Sequence, residues 1–369
     1  MQIIDRESIE ILFKALSTKG FDLIGPTVRN GAIIYDHLDS VSQMPVGWTD
    51  RQMAGNYRIV RKDNGALFGY VVGPHSWKNF LYPSIQSLWQ AKRNGNSFEI
   101  IEEEKKVPKF AFIGVRPCDL KAISVHDRVF LEGDFIEPGY KSRRKGLFII
   151  AVNCTEPGGS CFCASMNCGP SVSGSEPFDL ALTEVLEKDR HYFVVQTGSE
   201  QGKALMQEIP HRPAEKIEID KGKALLKQAA LSMGRVLDTE NIKELLYQNL
   251  EHPRWEDTAR RCLSCANCTM VCPTCFCSTT EDVTDLTGDH AERRRRWDSC
   301  FSLDFSYIHG GYIRATVKAR YRQWMTHKLA SWMDQFGTSG CVGCGRCITW
   351  CPVGIDITEE VQAIRGNTA

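Results

Sequence analysis

The sequence lacks three features that would place it in common protein classes. Its longest apolar runs, such as residues 147–152, are far too short to cross a bilayer. Its charges balance at 45 basic and 45 acidic residues, so net charge gives no argument for nucleic acid or an anionic membrane as a partner. No G-x-G-x-x-G stretch follows a predicted strand, and a dinucleotide site is therefore not expected in this chain. We expect a cytoplasmic, globular protein.

Cysteine is also missing from a large part of the chain. None of the 16 cysteines precedes Cys118; five lie between residues 118 and 168, seven between 262 and 300, and four between 341 and 351. Cytosolic thiols are kept reduced, which argues against a disulfide framework. Thiols that cluster in this way indicate metal ligands, whereas ordinary buried cysteines would be scattered.

The spacing of apolar residues divides the chain into two halves. From residue 1 to 235 an α/β domain with a mixed sheet and helices is predicted, with strands at 109–115, 147–153 and 191–198 and helices at 118–130 and 179–189. Strand signals vanish after about residue 218, and segments 221–237, 239–251 and 315–336 have helical spacing. Residues 236–369 are therefore predicted to form a mostly α-helical domain, and 210–216 is the candidate linker.

The second half contains the pattern C-x2-C-x2-C-x3-C-P twice, in CLSCANCTMVCPTCFC and in CVGCGRCITWCPVGID. In this pattern three thiolates bind one [4Fe-4S] cluster and the fourth binds the other cluster. We predict a first cysteine set of Cys262, Cys265, Cys268 and Cys351, and a second cysteine set of Cys272, Cys341, Cys344 and Cys347. The domain is then an α-helical, ferredoxin-like domain with two clusters. The alternative is a zinc-stabilised binding module, although zinc knuckles usually pair across a longer gap.

The cysteines of the first half follow predicted strands. Cys118 comes after the strand at 109–115, and Cys154 comes after the strand at 147–153. Ligands collect beyond the carboxyl ends of strands in α/β sheets, so the two thiols are expected to face one crevice, near Arg116. A Gly-rich loop adds two further thiols, and we predict a third [4Fe-4S] site on a third cysteine set of Cys118, Cys154, Cys161 and Cys163. Cys168 could replace one of them, and some of these thiols could instead be ordinary buried cysteines.

Four segments carry a family resemblance. GVRPCDLKAI, NCTEPGGSCFCASMNCGP and the two C-terminal motifs resemble, in this order, the iron–sulfur β subunit of cytoplasmic NAD(P)-linked [NiFe] hydrogenases, or sulfhydrogenases. They equally resemble the corresponding iron–sulfur subunit of anaerobic sulfite reductase, which is a member of the same family. The likeness spans about residues 110–360 and is loosest around Asn167 and Cys168, which makes Cys168 the poorest ligand candidate.

The resemblance implies an electron-transfer subunit that is not catalytic alone. Its expected partners are a subunit that binds FAD and NAD(P)H and, on the other side, the small and large subunits of a [NiFe] hydrogenase or a sirohaem sulfite reductase subunit. FAD is expected in the partner and not in this chain. Neither nucleic acid nor a membrane is expected as a partner.

Several conspicuous residues remain outside these three sets. Cys275, Cys277 and Cys300 provide three ligands of a possible further site, but packing around the clusters is the preferred interpretation. The basic region that begins with four arginines at 293–296 is interpreted either as a solvated helix face or as a docking site for an acidic partner. His309 and His327 are interpreted as core or interface residues, and the glycines of 198–204 as weak evidence for a nucleotide phosphate.

Overall fold

The computed structural model describes residues 1–101 and 108–366. Its strands are β1 (Gln2–Asp5), β2 (Asp22–Arg29), β3 (Ala32–His37), β4 (Trp48–Met53), β5 (Asn56–Arg61), β6 (Ile85–Asn94), β7 (Ser97–Ile101), β8 (Phe110–Val115), β9 (Phe148–Val152), β10 (Leu180–Leu186), β11 (His191–Thr197), β12 (Arg212–Pro213), β13 (Ser278–Thr284), β14 (His290–Trp297), β15 (Tyr307–Ile308) and β16 (Gly311–Tyr312). Its helices are α1 (Ser8–Thr18), α2 (Lys78–Leu81), α3 (Pro117–Leu131), α4 (Pro138–Arg144), α5 (Glu200–Met206), α6 (Lys216–Leu231), α7 (Ile242–Gln248), α8 (Arg254–Arg261), α9 (Asn267–Met270), α10 (Val317–Thr326), α11 (Trp332–Phe336), α12 (Arg346–Thr349) and α13 (Ile357–Gly366), with a π-helical turn at His327–Ser331 between α10 and α11.

The first half is built on an eight-stranded mixed sheet in the order β12-β1-β11-β10-β9-β8-β2-β3. The central strands β2, β8, β9 and β10 run parallel, whereas the outer pairs are antiparallel. All residues of β8 and β9 are buried, as expected for parallel strands that are covered on both faces. The predicted mixed sheet with helices is therefore confirmed.

One predicted helix of the first half is wrong. The segment 179–189 contains β10, which pairs with β9 on one side and with β11 on the other. Its first six residues are buried, including Thr183 and Glu184. The sequence pattern was misread as a helix because a central strand is buried on both faces. Such a strand does not show the alternation of apolar and polar residues that marks a half-buried strand.

The second half is less helical than predicted. The predicted helices at 221–237, 239–251 and 315–336 correspond to the end of α6, to α7, and to α10, the π-helical turn and α11. However, β13 and β14 form a hairpin that joins β6 and β7 in a second sheet of order β13-β14-β6-β7. The expectation that strands vanish after residue 218 is therefore wrong. The second sheet combines strands from both halves of the sequence, so the halves are not independent units of the chain.

The arginine run at 293–296 lies on β14 and not on a helix. Arg293 pairs with Asp282, and Arg294 and Arg296 both pair with Glu281 on the neighbouring strand β13. Arg295 lies over the ring of Tyr82. Cross-strand pairs of this kind stabilise a hairpin, and their two carboxylates offset part of the basic charge that had suggested an acidic partner.

Two large hydrophobic cores form much of the interior of the protein. One is formed by the eight-stranded sheet and the helices on it, including Leu12, Phe13 and Leu16 of the amphipathic helix α1. The other is formed by residues 237–364 together with Phe162, which enters it from the Gly-rich loop of the first half. The candidate linker 210–216 contributes β12 to the edge of the large sheet.

No helix among the described residues is long and apolar enough to span a membrane.

Candidate cluster-binding sites

The first cysteine set lines one cavity. Cys351 of the second motif lies there beside all three leading cysteines of the first motif. The short helix α9 carries Cys268, and Ala266 precedes it with a left-handed φ of 65°, which turns the chain back around the cavity. Burial, together with the neighbouring Cys262 and Cys351 thiols, raises the pKa of Cys268 well above its ordinary value. The thiols must therefore lose protons when they bind a cation, as iron ligands do.

Aromatic side chains complete the wall of this cavity. Phe301, Tyr321 and Trp324 line it and pack against one another. The indole Nε1 of Trp324 is buried and lacks a hydrogen-bond partner among the described residues. A buried donor without a partner is costly, and the sulfide or thiolate of an anionic cluster would supply the missing acceptor. The first set thus fits a [4Fe-4S] cluster in three respects. Its ligands are thiols, there are four of them, and a buried indole N–H on the cavity wall lacks an acceptor that the cluster would supply.

The second cysteine set lines a second cavity, again in the crossed arrangement. Cys272 of the first motif lies beside Cys341, Cys344 and Cys347 of the second. Burial, then the adjacent Cys341 and Cys344 thiols, raise the pKa of Cys347 well above its ordinary value. Cys347 also lines the first cavity, so the two cavities are neighbours.

A buried lysine contacts the second set. Lys328 Nζ lies 3.1 Å from the Cys272 sulfur, and its side chain is 3% exposed. A hydrogen bond from Cys275, helped by the Lys328 ammonium, lowers the pKa of Cys272 well below its ordinary value. Burial opposes the charge of Lys328, but the sulfurs of Cys272 and Cys275 outweigh it and raise the pKa of the lysine. Sequence reasoning missed Lys328, which had no local signal.

The third cysteine set is assembled at one edge of the large sheet. Strands β8 and β9 are parallel neighbours, so their carboxyl ends deliver Cys118 and Cys154 to the same edge. The neighbouring Cys118 thiol, followed by burial, raises the pKa of Cys163. Burial, then the Cys154 and Cys118 thiols, raise the pKa of Cys161. The structure therefore brings together the four thiols that the sequence predicted would converge.

Arg116 provides positive charge beside the third set. Its guanidinium is buried and donates to the carbonyls of Phe68 and Tyr70 at 2.6 and 2.7 Å. Burial opposes the charge, but the sulfur of Cys154 is the largest factor that favours it, and the pKa of Arg116 is raised. A thiolate-bound cluster is anionic, so a buried cation at this position matches it.

The third set touches the second. The amide of Phe162 donates to the carbonyl of Gly343 at 2.8 Å, and the sulfur of Cys161 contacts the carbonyl of Cys344 at 3.7 Å. Gly343 and Gly345 both have positive φ, at 67° and 75°. A Cβ on Gly343 would lie 2.6 Å from the Cα of Cys163, so only glycine allows the two cysteine loops to approach this closely.

A buried ion pair fixes the same contact. The Asp119 carboxylate, next to Cys118, accepts two hydrogen bonds from Arg346 at 2.7 and 2.9 Å. The side chains are 1% and 4% exposed. Asp119 also accepts from the hydroxyl of Tyr35 at 3.0 Å. The pair joins the helix that starts the third set to the helix that carries part of the second set.

We expect Asp119→Ala to destabilise the protein by about 3–5 kcal/mol, because it leaves the Arg346 guanidinium buried without a counter-ion. The measurement is a shift in the thermal or denaturant midpoint, followed by tryptophan fluorescence under anaerobic conditions. Glu200→Ala is the matched control, since its pair with Lys203 lies on the surface and should contribute little. Equal midpoints for the two variants would contradict the structural role of the buried pair.

The remaining cysteines fall into two groups. The sulfur of Cys168 contacts the carbonyl of Met166 at 3.1 Å, and burial with the nearby Cys118 and Cys341 thiols raises its pKa to about 12. The neighbouring Cys300 lowers the pKa of Cys277 to about 7. These sulfurs therefore lie close to the three sets without completing a fourth set of four.

Other residues singled out from the sequence have their own contacts. His327 interacts with Gln335 at 3.0 Å, and His309 lies in the exposed turn between β15 and β16. Within 198–204, Ser199 caps α5 by accepting from the amide of Gly202, and a Cβ on Gly202 would collide with Asp179. Close packing against Asp179 therefore explains the glycine at position 202. Among the described residues, no three His, Cys, Asp or Glu side chains are arranged to hold a single metal ion.

The fold and these cavities define a class of protein. The 4Fe-4S dicluster domain family matches residues 261–355, which contain both C-terminal motifs. The chain is an iron–sulfur protein with a [4Fe-4S] dicluster domain, and clusters are favoured over zinc. The domain around these motifs is partly helical and includes the hairpin of β13 and β14.

A similar protein gives the family. Sulfhydrogenase 2 subunit beta of Pyrococcus furiosus is 31% identical to this chain over 261 residues, which are 70% of this chain and 74% of that relative. The chain belongs to the family of iron–sulfur β subunits of hydrogenases, whose role is electron transfer. The predicted family resemblance is confirmed, and this relative favours the hydrogenase interpretation over sulfite reductase. No solved structure matches the chain.

Proposed function

We propose that this chain is the iron–sulfur subunit of a cytoplasmic, bidirectional [NiFe] hydrogenase complex. It would pass electrons between a subunit that binds FAD and NAD(P)H and the small subunit of the hydrogenase. The observation that carries the proposal is the contact between the three cysteine sets in series. The third set touches the second, and the second shares Cys347 with the cavity of the first.

The residues of the chain support this role by holding three centres at fixed separations. Four thiols in each set would bind one [4Fe-4S] cluster, which accepts and donates single electrons when bound. The glycines at 343 and 345 and the Asp119–Arg346 pair keep the third and second sets together. No side chain of this chain needs to act as an acid, a base or a nucleophile in electron transfer.

The ends of the series would face different partners. Cys265 is exposed and belongs to the first set, so this set lies nearest to the surface of the second half. The third set lies at the sheet edge of the α/β domain, next to Arg116. We assign flavin to the partner, because no predicted strand of this sequence is followed by a dinucleotide fingerprint.

We expect the anaerobically purified chain to contain about 12 iron and 12 acid-labile sulfide atoms and no flavin, since three cubane clusters need that many. The measurement combines iron, sulfide and flavin assays with identification of the proteins that co-purify. A flavin protein and the nickel-containing large subunit should co-purify with the natural complex. A value that stays at about eight iron after reconstitution would remove the third cluster, and a sirohaem partner would contradict the hydrogenase assignment.

A further inference from the structure

Lys328 is held in one position by the protein around it. Its ammonium has three N–H donors and three acceptors, each at 3.1 Å: the Cys272 sulfur, the Thr274 hydroxyl and the Gly340 carbonyl. The main chain is fixed as well, because the amide of Gly340 donates to the Lys328 carbonyl at 2.8 Å. All donors of the ammonium are used, so the hydrogen bond to sulfur is a built feature of the site and not a passing contact.

The backbone that presents Lys328 is irregular at this point. The residue lies in the π-helical turn His327–Ser331, between the α-helices α10 and α11. Such turns occur mostly as single insertions in α-helices, and frequently at functional sites. The turn directs Lys328 towards Cys272, which is 56 residues earlier in the sequence.

The charge of Lys328 lacks an acidic partner. Among residues 1–101 and 108–366, no carboxylate forms an ion pair with Lys328, and its largest opposite charges are the sulfurs of Cys272, Cys275 and Cys341. A buried ammonium needs an anion nearby, because burial removes its hydration. The thiolates of the second set supply that negative charge. A reduced cluster carries more negative charge than an oxidised one.

The other two sets differ from the second in this respect. In the first set, the sulfurs of Cys262 and Cys351 accept from the backbone amides of Ser264 and Ile355, at 3.5 and 3.3 Å. In the third set, Arg116 donates to backbone carbonyls and not to a sulfur. In the described part of the chain, Lys328 is thus the one charged side chain whose hydrogen bond reaches a cysteine of the three sets.

We propose that the Lys328 ammonium, through its hydrogen bond to the Cys272 sulfur, raises the reduction potential of the cluster on the second set above that of the cluster on the first set. A cluster gains one negative charge on reduction, and a cation in a buried, low-dielectric position stabilises the reduced state more than the oxidised state. The second set lies between the other two. An electron that enters the series would therefore reside mainly on the cluster of the second set. This inference depends on the proposed cluster at the second set.

The test is a potentiometric titration of the purified holoprotein, followed by electron paramagnetic resonance. The signal of the second set is identified as the one that Cys344→Ala removes. At the potential where this cluster is half reduced in the wild type, Lys328→Met should lower the ratio of reduced to oxidised cluster by about tenfold, which corresponds to about 59 mV for one electron. Lys328→Arg keeps a charged donor and should change the ratio by less than about threefold.

Lys78→Met is the matched control. Lys78 is a second buried lysine beside the same cysteines, but its ammonium donates to the backbone carbonyl of Cys275 at 3.0 Å and not to a sulfur of the three sets. If the hydrogen bond to Cys272 matters, this control should change the ratio by less than about threefold. An equal effect of Lys78→Met and Lys328→Met would overturn the proposal, since charge in the region would then suffice.

Two outcomes separate this inference from the cluster assignment. A wild-type protein without a signal from the second set would refute the proposed ligands, whereas an unchanged ratio in Lys328→Met with full iron would refute the role of Lys328. If Lys328→Met fails to retain iron, Lys328→Gln decides the matter, because it removes the charge beside Cys272 while keeping a polar side chain there. It should lower the ratio in the same direction by a smaller factor, and no change at full iron would overturn the proposal.

Discussion

Cys118→Ala and Cys154→Ala should each remove the same four or so irons from the protein and leave the two C-terminal clusters intact. The two cysteines are far apart in sequence but follow the parallel neighbouring strands β8 and β9. Their sulfurs meet Cys161 and Cys163 at one edge of the sheet. Iron analysis and electron paramagnetic resonance of the anaerobically purified variants are the measurements.

The double variant of Cys118 and Cys154 should lose no more iron than either single variant, because both thiolates serve one centre and the effects of coupled residues do not add. Cys168→Ala is the control and should retain all its iron, because Cys168 is not one of the four cysteines assigned to the third set. Loss of about four irons from Cys168→Ala, with full iron in Cys118→Ala, would replace the third set by a site confined to the loop 154–168.

Cys272→Ala should disrupt the cluster of the second motif, although Cys272 belongs to the first motif. In the structure Cys272 lines the cavity of Cys341, Cys344 and Cys347 and is absent from the walls of the other cavity. The effect should be large, because the variant also leaves the Lys328 ammonium buried without its nearest sulfur.

The reciprocal variant supplies the control for crossed ligation. Cys351→Ala should disrupt the cluster of Cys262, Cys265 and Cys268, whose cavity Cys351 lines. Each substitution should thus change the spectroscopic signal of the cluster that is bound by the three leading cysteines of the other motif. Changes confined to the motif of the substituted cysteine in both variants would disprove crossed ligation, while two clusters per domain would still stand.

The cysteine sets were predictable from the sequence because their geometry depends on local spacing and on strand ends. The C-x2-C-x2-C-x3-C-P pattern specifies which cysteine crosses over, and the structure places Cys272 and Cys351 accordingly. Parallel strands bring their carboxyl ends to one edge, which is why Cys118 and Cys154 meet. Both rules need only a short stretch of sequence.

The features that were missed depend on contacts between elements, which the local sequence pattern does not show. Strand β14 carries four consecutive arginines, and its pairing becomes favourable only because Glu281 and Asp282 lie opposite on β13. Strand β10 resembled a helix because both its faces are buried by other elements. Lys328 resembles an ordinary surface lysine until Cys272 is placed beside it. In each case tertiary contacts override the local pattern.

The sheet of β13, β14, β6 and β7 has a consequence for synthesis of the protein. His290 on β14 contacts Gln90 on β6, 200 residues earlier in the chain. A ribosome therefore completes β6 long before its partner exists, and the exposed edge of β6 invites pairing with other chains in the meantime. The nascent chain must be protected over that interval, and an isolated first half would be prone to aggregate.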